Sequence, residues 1–130
     1  MSIIGIGSDI VKISRIEKLV DRYGERFLQR IFTVSETAYA FCKARPALHL
    51  AARFAAKEAF VKALGSGLRG GLNWCDIEVI NSELGQPQLK LYNYAKQMCY
   101  ESRNASTWLS LAHEQEFALA FVVLEKRRTP

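Results

Sequence analysis

Residues 53–67 read RFAAKEAFVKALGSG, and the folding of this stretch decides how the rest of the chain is arranged. Helix formers dominate residues 47–64, Pro46 favours a fresh helix start, and Gly65 stands where a C-capping glycine belongs. The pattern predicts one long central helix. At about 100° per residue, Ala52, Ala55, Ala56, Ala59 and Ala63 share one arc, and side chains this small let another element pack close. On the opposite side Glu58 and Lys62 stand one turn apart, while Arg53 and Lys57 form a second one-turn pair. One edge of the helix therefore carries an acid and three bases.

That edge has two readings. Glu58 and Lys62 can be an exposed i,i+4 ion pair worth about 0.3–0.5 kcal/mol. Alternatively, Glu58 is a metal ligand, Lys62 a cation for phosphate, and the GSG exit a backbone that lets phosphate approach. GSG alone is a common helix C-cap, and no GK[ST] follows to make a Walker A loop. Asp9 bears on the choice. It follows the glycine-rich stretch IIGIGS, where a carboxylate can be a simple turn residue. A hard cation such as Mg²⁺, however, is held by one or two carboxylates together with water and substrate phosphates, which Asp9 and Glu58 could supply.

Outward from the helix, Ile3, Ile4 and Ile6 alternate with Gly5 and Gly7 as a first strand, with Asp9 at its end; the glycines signal a close approach of backbone or ligand. Ser14 with Glu17 has capping-box spacing and predicts a helix to about Arg30, and Thr33 with Glu36 repeats the signal. Residues 76–80 and 88–92 read as strands around an ELGQP turn, 94–103 as a helix, and 108–112 with 117–124 as a closing hairpin. Helices early and strands mostly late predict an α+β fold: one compact domain, residues 1–126, with a long central helix packed on a mainly antiparallel sheet. Residues 127–130 read as a frayed tail.

Composition narrows the classes. A chain of 130 residues with 49% hydrophobic and 24% charged residues is ordinary globular material, long enough to bury a core. No apolar run is long enough for a spanning helix, and the N-terminus lacks the basic region and cleavage site of a secretory signal, so the cytoplasm is the expected compartment. Cys42, Cys75 and Cys99 are odd in number and widely spaced, which predicts reduced thiols rather than a disulfide framework or zinc site. A net charge of +5 and a pI near 9.3 point to an acidic partner.

GIGSDIVKISRI at 5–16 and RFAAKEAFVKALGSG at 53–67 resemble the two signature motifs of the holo-acyl-carrier-protein synthases, a family of 4′-phosphopantetheinyl transferases. The resemblance continues through DIEVINSELGQPQL and LSLAHEQEFALAFVVLE, so it covers nearly the whole chain with order and spacing kept. It implies the 4′-phosphopantetheinyl transferase fold and transfer of phosphopantetheine from coenzyme A to a serine of apo-acyl carrier protein. The reaction releases adenosine 3′,5′-bisphosphate, depends on Mg²⁺ and serves fatty acid biosynthesis. By the same resemblance the catalytic residues are Asp9, Glu58 and Lys62, with Asp9 and Glu58 holding the metal. Coenzyme A would be bound by Arg53, Lys62, Gly65, Ser66, Gly67, Pro87 and His113. Ser66 stands where Thr is common, and Ala112 replaces a frequent serine beside His113. The proton acceptor is open among a metal-bound water, a carboxylate and His113.

The first predicted helix has an apolar stripe of Ile13, Ile16, Leu19, Val20, Tyr23 and Phe27, which should be buried. Beside it run Arg15, Lys18, Arg22, Arg26 and Arg30, with Glu17, Asp21 and Glu25 alongside. The ridge reads either as a solvated face with internal ion pairs or, by resemblance, as the docking surface for an acidic carrier protein through Arg15, Arg22 and Arg26. Resemblance also implies a homotrimer with coenzyme sites in clefts between subunits. FALAFVVL at 117–124 is apolar at nearly every position, which fits burial on both faces, by a neighbour or by the chain's own helices. Two rivals stand beside this reading, a nucleic-acid-binding module and a metal-dependent nucleotide hydrolase built on Asp9, Glu58 and Lys62. Neither nucleic acid nor membrane is expected as a partner.

Overall fold

The central helix exists and is the axis of the computed structural model, which describes residues 2–65 and 71–128. Because the helices and strands are numbered in chain order, the first strand, β1 (Ile3–Lys12), leads into α1 (Ile13–Tyr23), α2 (Glu25–Ile31) and α3 (Val34–Phe41) before the axis, α4 (Pro46–Leu64). Pro46 occupies the first turn of α4. Gly65 closes it in the left-handed region at φ 79°, its N–H bonded to the carbonyls of Val61 and Lys62. The alanine arc faces β1. A Cβ on Gly5 would collide with the Ala63 carbonyl and one on Gly7 with the Ala59 carbonyl, so the glycines are there for backbone contact between strand and helix.

After α4 come a single 3₁₀ turn (Trp74–Asp76), β2 (Ile77–Asn81), β3 (Pro87–Leu91), α5 (Asn93–Lys96), β4 (Ala105–His113) and β5 (Phe117–Lys126). Two antiparallel sheets result, one of order β1-β5-β4 and a separate β2-β3 hairpin around the ELGQP turn. The α+β architecture is the one the sequence predicts. Ala118, Ala120, Val122 and Leu124 turn one face of β5 into the buried core. No helix among the described residues is long and apolar enough to cross a membrane.

Several expectations need correction. Asp9 lies within β1, opposite Ala120, because β5 is long enough to pair with the strand as far as Lys12. The Ser14–Glu17 box does not form: Ile13, fully buried, starts α1 directly from the strand, and Lys12 is the cap without a side-chain bond. The helix expected to reach Arg30 breaks at Gly24, whose φ of 54° lets the chain turn and restart as α2. Tyr23 is consequently 44% exposed rather than buried. Residues 94–103 are helical in two parts, as α5 passes into a π-helical turn at Gln97–Glu101. Arg127, assigned to the tail, donates to the carbonyl of Tyr100 and through its backbone to that of Asn104; Thr129 and Pro130 lie outside the described residues.

The Thr33–Glu36 box is present and does more than cap. Glu36 Oε1 accepts from Thr33 N–H and from Lys57 Nζ at 2.7 Å, while Oε2 accepts from Val79 N–H on β2. Lys57 also donates to the carbonyls of Ile31 and Trp74. Lys57 is thus a wholly buried cross-link between α2, α3, α4 and the turn before β2, not one of three surface bases.

Candidate active site

The close fit of β1 on α4 carries Asp9 and Glu58 to one edge of the sheet. Lys62, one turn beyond Glu58, extends its Nζ to Asp9 Oδ1 at 3.0 Å and to the Ser8 carbonyl at 3.1 Å. No ion pair joins Glu58 and Lys62; the pairing runs between helix and strand instead of along the helix. The side chain of Asp9 is largely shielded while that of Lys62 is half exposed, so the ammonium reaches out to solvent and to any ligand there. Burial raises the pKa of Glu58 above its ordinary 4.5, the neighbouring Asp9 carboxylate raises it further, and Lys62 and Arg15 work against both. Arg15, placed by the sequence on a docking ridge, therefore also acts on this cluster.

The donor set suits a hard divalent cation. Two neighbouring carboxylates disfavour each other's charge, which a cation between them relieves, and oxygen-only ligation by two carboxylates leaves room for water and phosphate. Among the described residues no group of three metal-ligating side chains forms. Substrate oxygens would complete the shell.

The other sequence-derived residues do not join this cluster. Arg53 precedes Lys62 by nine residues, about half a turn around the helix axis, and is buried against Tyr39. His113 ends β4, and β5 separates it from β1 and Asp9. Pro87 starts β3 and lines a separate groove of about 360 Å³ with Tyr100, Trp108 and Arg127. Gly65 is exposed at the exit of α4, while Ser66 and Gly67 lie outside the described residues.

Arg15, Lys18 and Arg22 line one groove with Lys12, and Arg26 and Arg30 line the next, of about 450 Å³, with Phe27; both grooves include Leu19 and Tyr23. Among the described residues none of these six cations is in an ion pair with Glu17, Asp21 or Glu25; Glu17 instead meets Arg45 at 3.9 Å. The ridge is basic and interleaved with half-exposed apolar side chains. Sequence reading missed Glu36 as the partner of Lys57 and missed His49, which packs on Tyr39 beside Arg53. The capping box marked Glu36, but only as a local cap. No local pattern marks His49.

Residues 5–122 match the family model described as the 4′-phosphopantetheinyl transferase superfamily. A relative from Geobacter metallireducens named holo-acyl-carrier-protein synthase is 48% identical over 124 residues, covering 95% of this chain and 98% of the relative. The crystal structure of the holo-acyl-carrier-protein synthase from Neisseria meningitidis superposes with a TM-score of 0.85 at 40% identity, covering 96% of this chain and all of that one. The Helicobacter pylori synthase, solved in complex with coenzyme A, gives 0.80 at 36% identity over 92% of this chain and 99% of that one. Signature motifs, fold and near full-length similarity agree, and the chain belongs to the 4′-phosphopantetheinyl transferase superfamily, among the holo-acyl-carrier-protein synthases.

Proposed function

We propose that the chain transfers 4′-phosphopantetheine from coenzyme A to a serine of an acidic apo-acyl carrier protein at Asp9, Glu58 and Lys62, supporting fatty acid biosynthesis. The observation that carries the site assignment is the Lys62–Asp9 contact of 3.0 Å beside Glu58. The serine Oγ attacks the phosphorus that bears pantetheine, the bond from that phosphorus to the bridging oxygen breaks, and adenosine 3′,5′-bisphosphate leaves. Asp9 and Glu58 would hold Mg²⁺, which, when bound, stabilises the charge gathering on the pyrophosphate oxygens. Asp9 orients the Lys62 ammonium, and Lys62 meets a phosphate oxygen whose charge grows in the transition state.

Arg15, Arg22 and Arg26 would steer and seat the carrier's acidic surface, with Leu19 and Tyr23 giving apolar contact between them. Gly65 would carry the coenzyme together with Ser66 and Gly67, and Pro87 would bind it from its separate groove. Arg53 and His113 would bind it too, but from the far side of α4 and β5. A single coenzyme reaching both sets needs two copies of the chain. An uncovered apolar sheet face supports that assembly: Ile6 and Ile10 are each 61% exposed, Trp108 58% and Phe121 47%. We therefore infer a homotrimer with shared sites. The three free cysteines support a reducing compartment, the cytoplasm.

Incubation with coenzyme A, Mg²⁺ and apo-carrier protein tests the reaction. The carrier should gain about 340 Da, the mass of one phosphopantetheine group. Release of adenosine bisphosphate without carrier would identify a hydrolase instead.

A further inference from the structure

Tyr39 on α3 is ringed by cations. The Arg53 guanidinium lies 4.1 Å from the ring centroid and Lys43 Nζ 4.7 Å, while the His49 ring packs edge-on at 5.6 Å. Arg53 is only 4% exposed; its guanidinium donates to the His49 carbonyl at 3.5 Å, and its Nε has no partner among the described residues. None of Lys43, His49, Arg53 and His113 is in an ion pair among the described residues. Glu36, which is committed to Lys57, and the Tyr39 hydroxyl offset part of the desolvation of this guanidinium, but no carboxylate comes within ion-pair distance, and an anion bound there offsets more of the cost. The aromatic face supplies part of the compensation but leaves N–H donors free.

The groups that face His49 are Tyr39 from α3, Lys43 just after it, Arg53 from its own helix and His113 from β4. Burial lowers the pKa of its imidazole below 6.5, and the charges of Arg53, Lys43 and His113 lower it further. His49 is neutral at pH 7 as long as the cluster is without an anion. A dianion among these groups offsets their positive field and favours the protonated imidazole.

We infer that His49 is a phosphate-binding residue that takes up a proton from solvent when a phosphate monoester settles among Lys43, Arg53 and His113. The inference rests on the reading that Arg53 and His113 belong to the coenzyme site, and it adds His49 and Lys43 to that site. The chemistry distinguishes the ligand's two anionic parts. Coenzyme A carries one monoester, on its ribose, apart from the pyrophosphate that Lys62 would meet. With a second pKa near 6, a monoester is already mostly dianionic at pH 7 and would release, not take up, its residual proton. Net proton uptake therefore reports an imidazole, and the His49 variants distinguish His49 from His113.

Calorimetric titration with coenzyme A at pH 7, in buffers of different ionisation enthalpy, measures that uptake. The wild-type protein should take up a sizeable fraction of one proton with coenzyme A and none with its 3′-dephospho analogue. His49→Phe keeps an edge-on ring against Tyr39, and His49→Gln is the second variant should the first fold poorly. Either should abolish the uptake and weaken coenzyme A binding about tenfold at pH 6.5, the loss of one charge-assisted hydrogen bond, with the difference vanishing by pH 8.5. Unchanged uptake in both variants, or equal uptake with the dephospho analogue, overturns the role of His49. Arg53→Met separates the two levels: wild-type coenzyme affinity in that variant would remove the coenzyme reading of this cluster altogether. Weakened affinity with uptake intact in the His49 variants would remove only the inference.

Discussion

Lys57 Nζ and Glu36 Oε1 stand 2.7 Å apart with both side chains wholly withdrawn from solvent. The adjacent Glu58 faces the opposite environment, half-buried beside Asp9. Two consecutive residues of one helix thus differ, Lys57 fixing α4 against its neighbours and Glu58 presenting a carboxylate beside Asp9 at the proposed site. Lys57→Met should destabilise the protein by about 3–5 kcal/mol, because it strands a buried carboxylate. Urea denaturation should show the double variant Lys57→Met/Glu36→Leu recovering part of that loss. Equal loss in both proteins would mean that the hydrogen bonds from Thr33 and Val79 to Glu36, rather than the ion pair, set the stability.

Lys62→Ala should lower kcat about 10²–10³-fold and raise the coenzyme Michaelis constant far less if, as proposed, Lys62 meets a phosphate whose charge grows in the transition state. Asp9→Asn and Glu58→Gln should instead shift the Mg²⁺ dependence, read as the half-saturating concentration in steady-state assays. Unaltered magnesium titrations in both would remove the metal assignment.

Glu78 sets an acid limit to stability. Burial alone would raise its pKa, but the hydroxyls of Thr33, Ser35 and Tyr92 donate to its oxygens at 2.5, 2.9 and 2.9 Å and hold the carboxyl below its ordinary 4.5. The folded pKa lies under the unfolded one, so this contribution is complete above about pH 4.5 and lost as pH falls through the folded value. Glu78→Gln should lower the melting temperature at pH 7 and flatten its decline between pH 5 and the acid transition. A parallel decline in both proteins would place the acid sensitivity elsewhere.

Phe121→Glu or Ile10→Glu puts a charge on the uncovered sheet face without touching the core beneath. Light scattering should give about three protomer masses for the parent chain and one for the variants, with circular dichroism unchanged and transfer activity lost. A monomeric variant with full activity would show that each chain carries a whole site.

Charge reversal at Arg22 or Arg26 should raise the carrier's Michaelis constant several-fold and leave that of coenzyme A nearly unchanged. Arg15→Glu should raise it too but also alter turnover, because Arg15 lowers the pKa of Glu58. Added salt should weaken the parent interaction, as exposed charges are screened over about 8 Å at physiological ionic strength.

What the sequence by itself determined are the features encoded within a few residues. The alanine arc, Pro46 and Gly65 define α4, short apolar runs mark the closing hairpin, and the Thr33–Glu36 box marks the start of α3. Asp9, Glu58 and Lys62, the residues proposed for the site, were marked by two motifs whose order and spacing carry the family resemblance. Tertiary structure alone decided which partners those side chains meet. Helical spacing offered Lys62 to Glu58, yet the glycines of β1 bring Asp9 close enough to take it. The same spacing put Lys57 on a charged edge, where packing by three other elements buries it on Glu36. Arg53 and His113, assigned by resemblance to the same coenzyme as Lys62, lie half a turn around α4 and beyond β5. A repeat of 3.6 residues fixes direction around one helix; what stands in that direction depends on segments tens of residues away, and here on how closely a strand without side chains at two positions can approach.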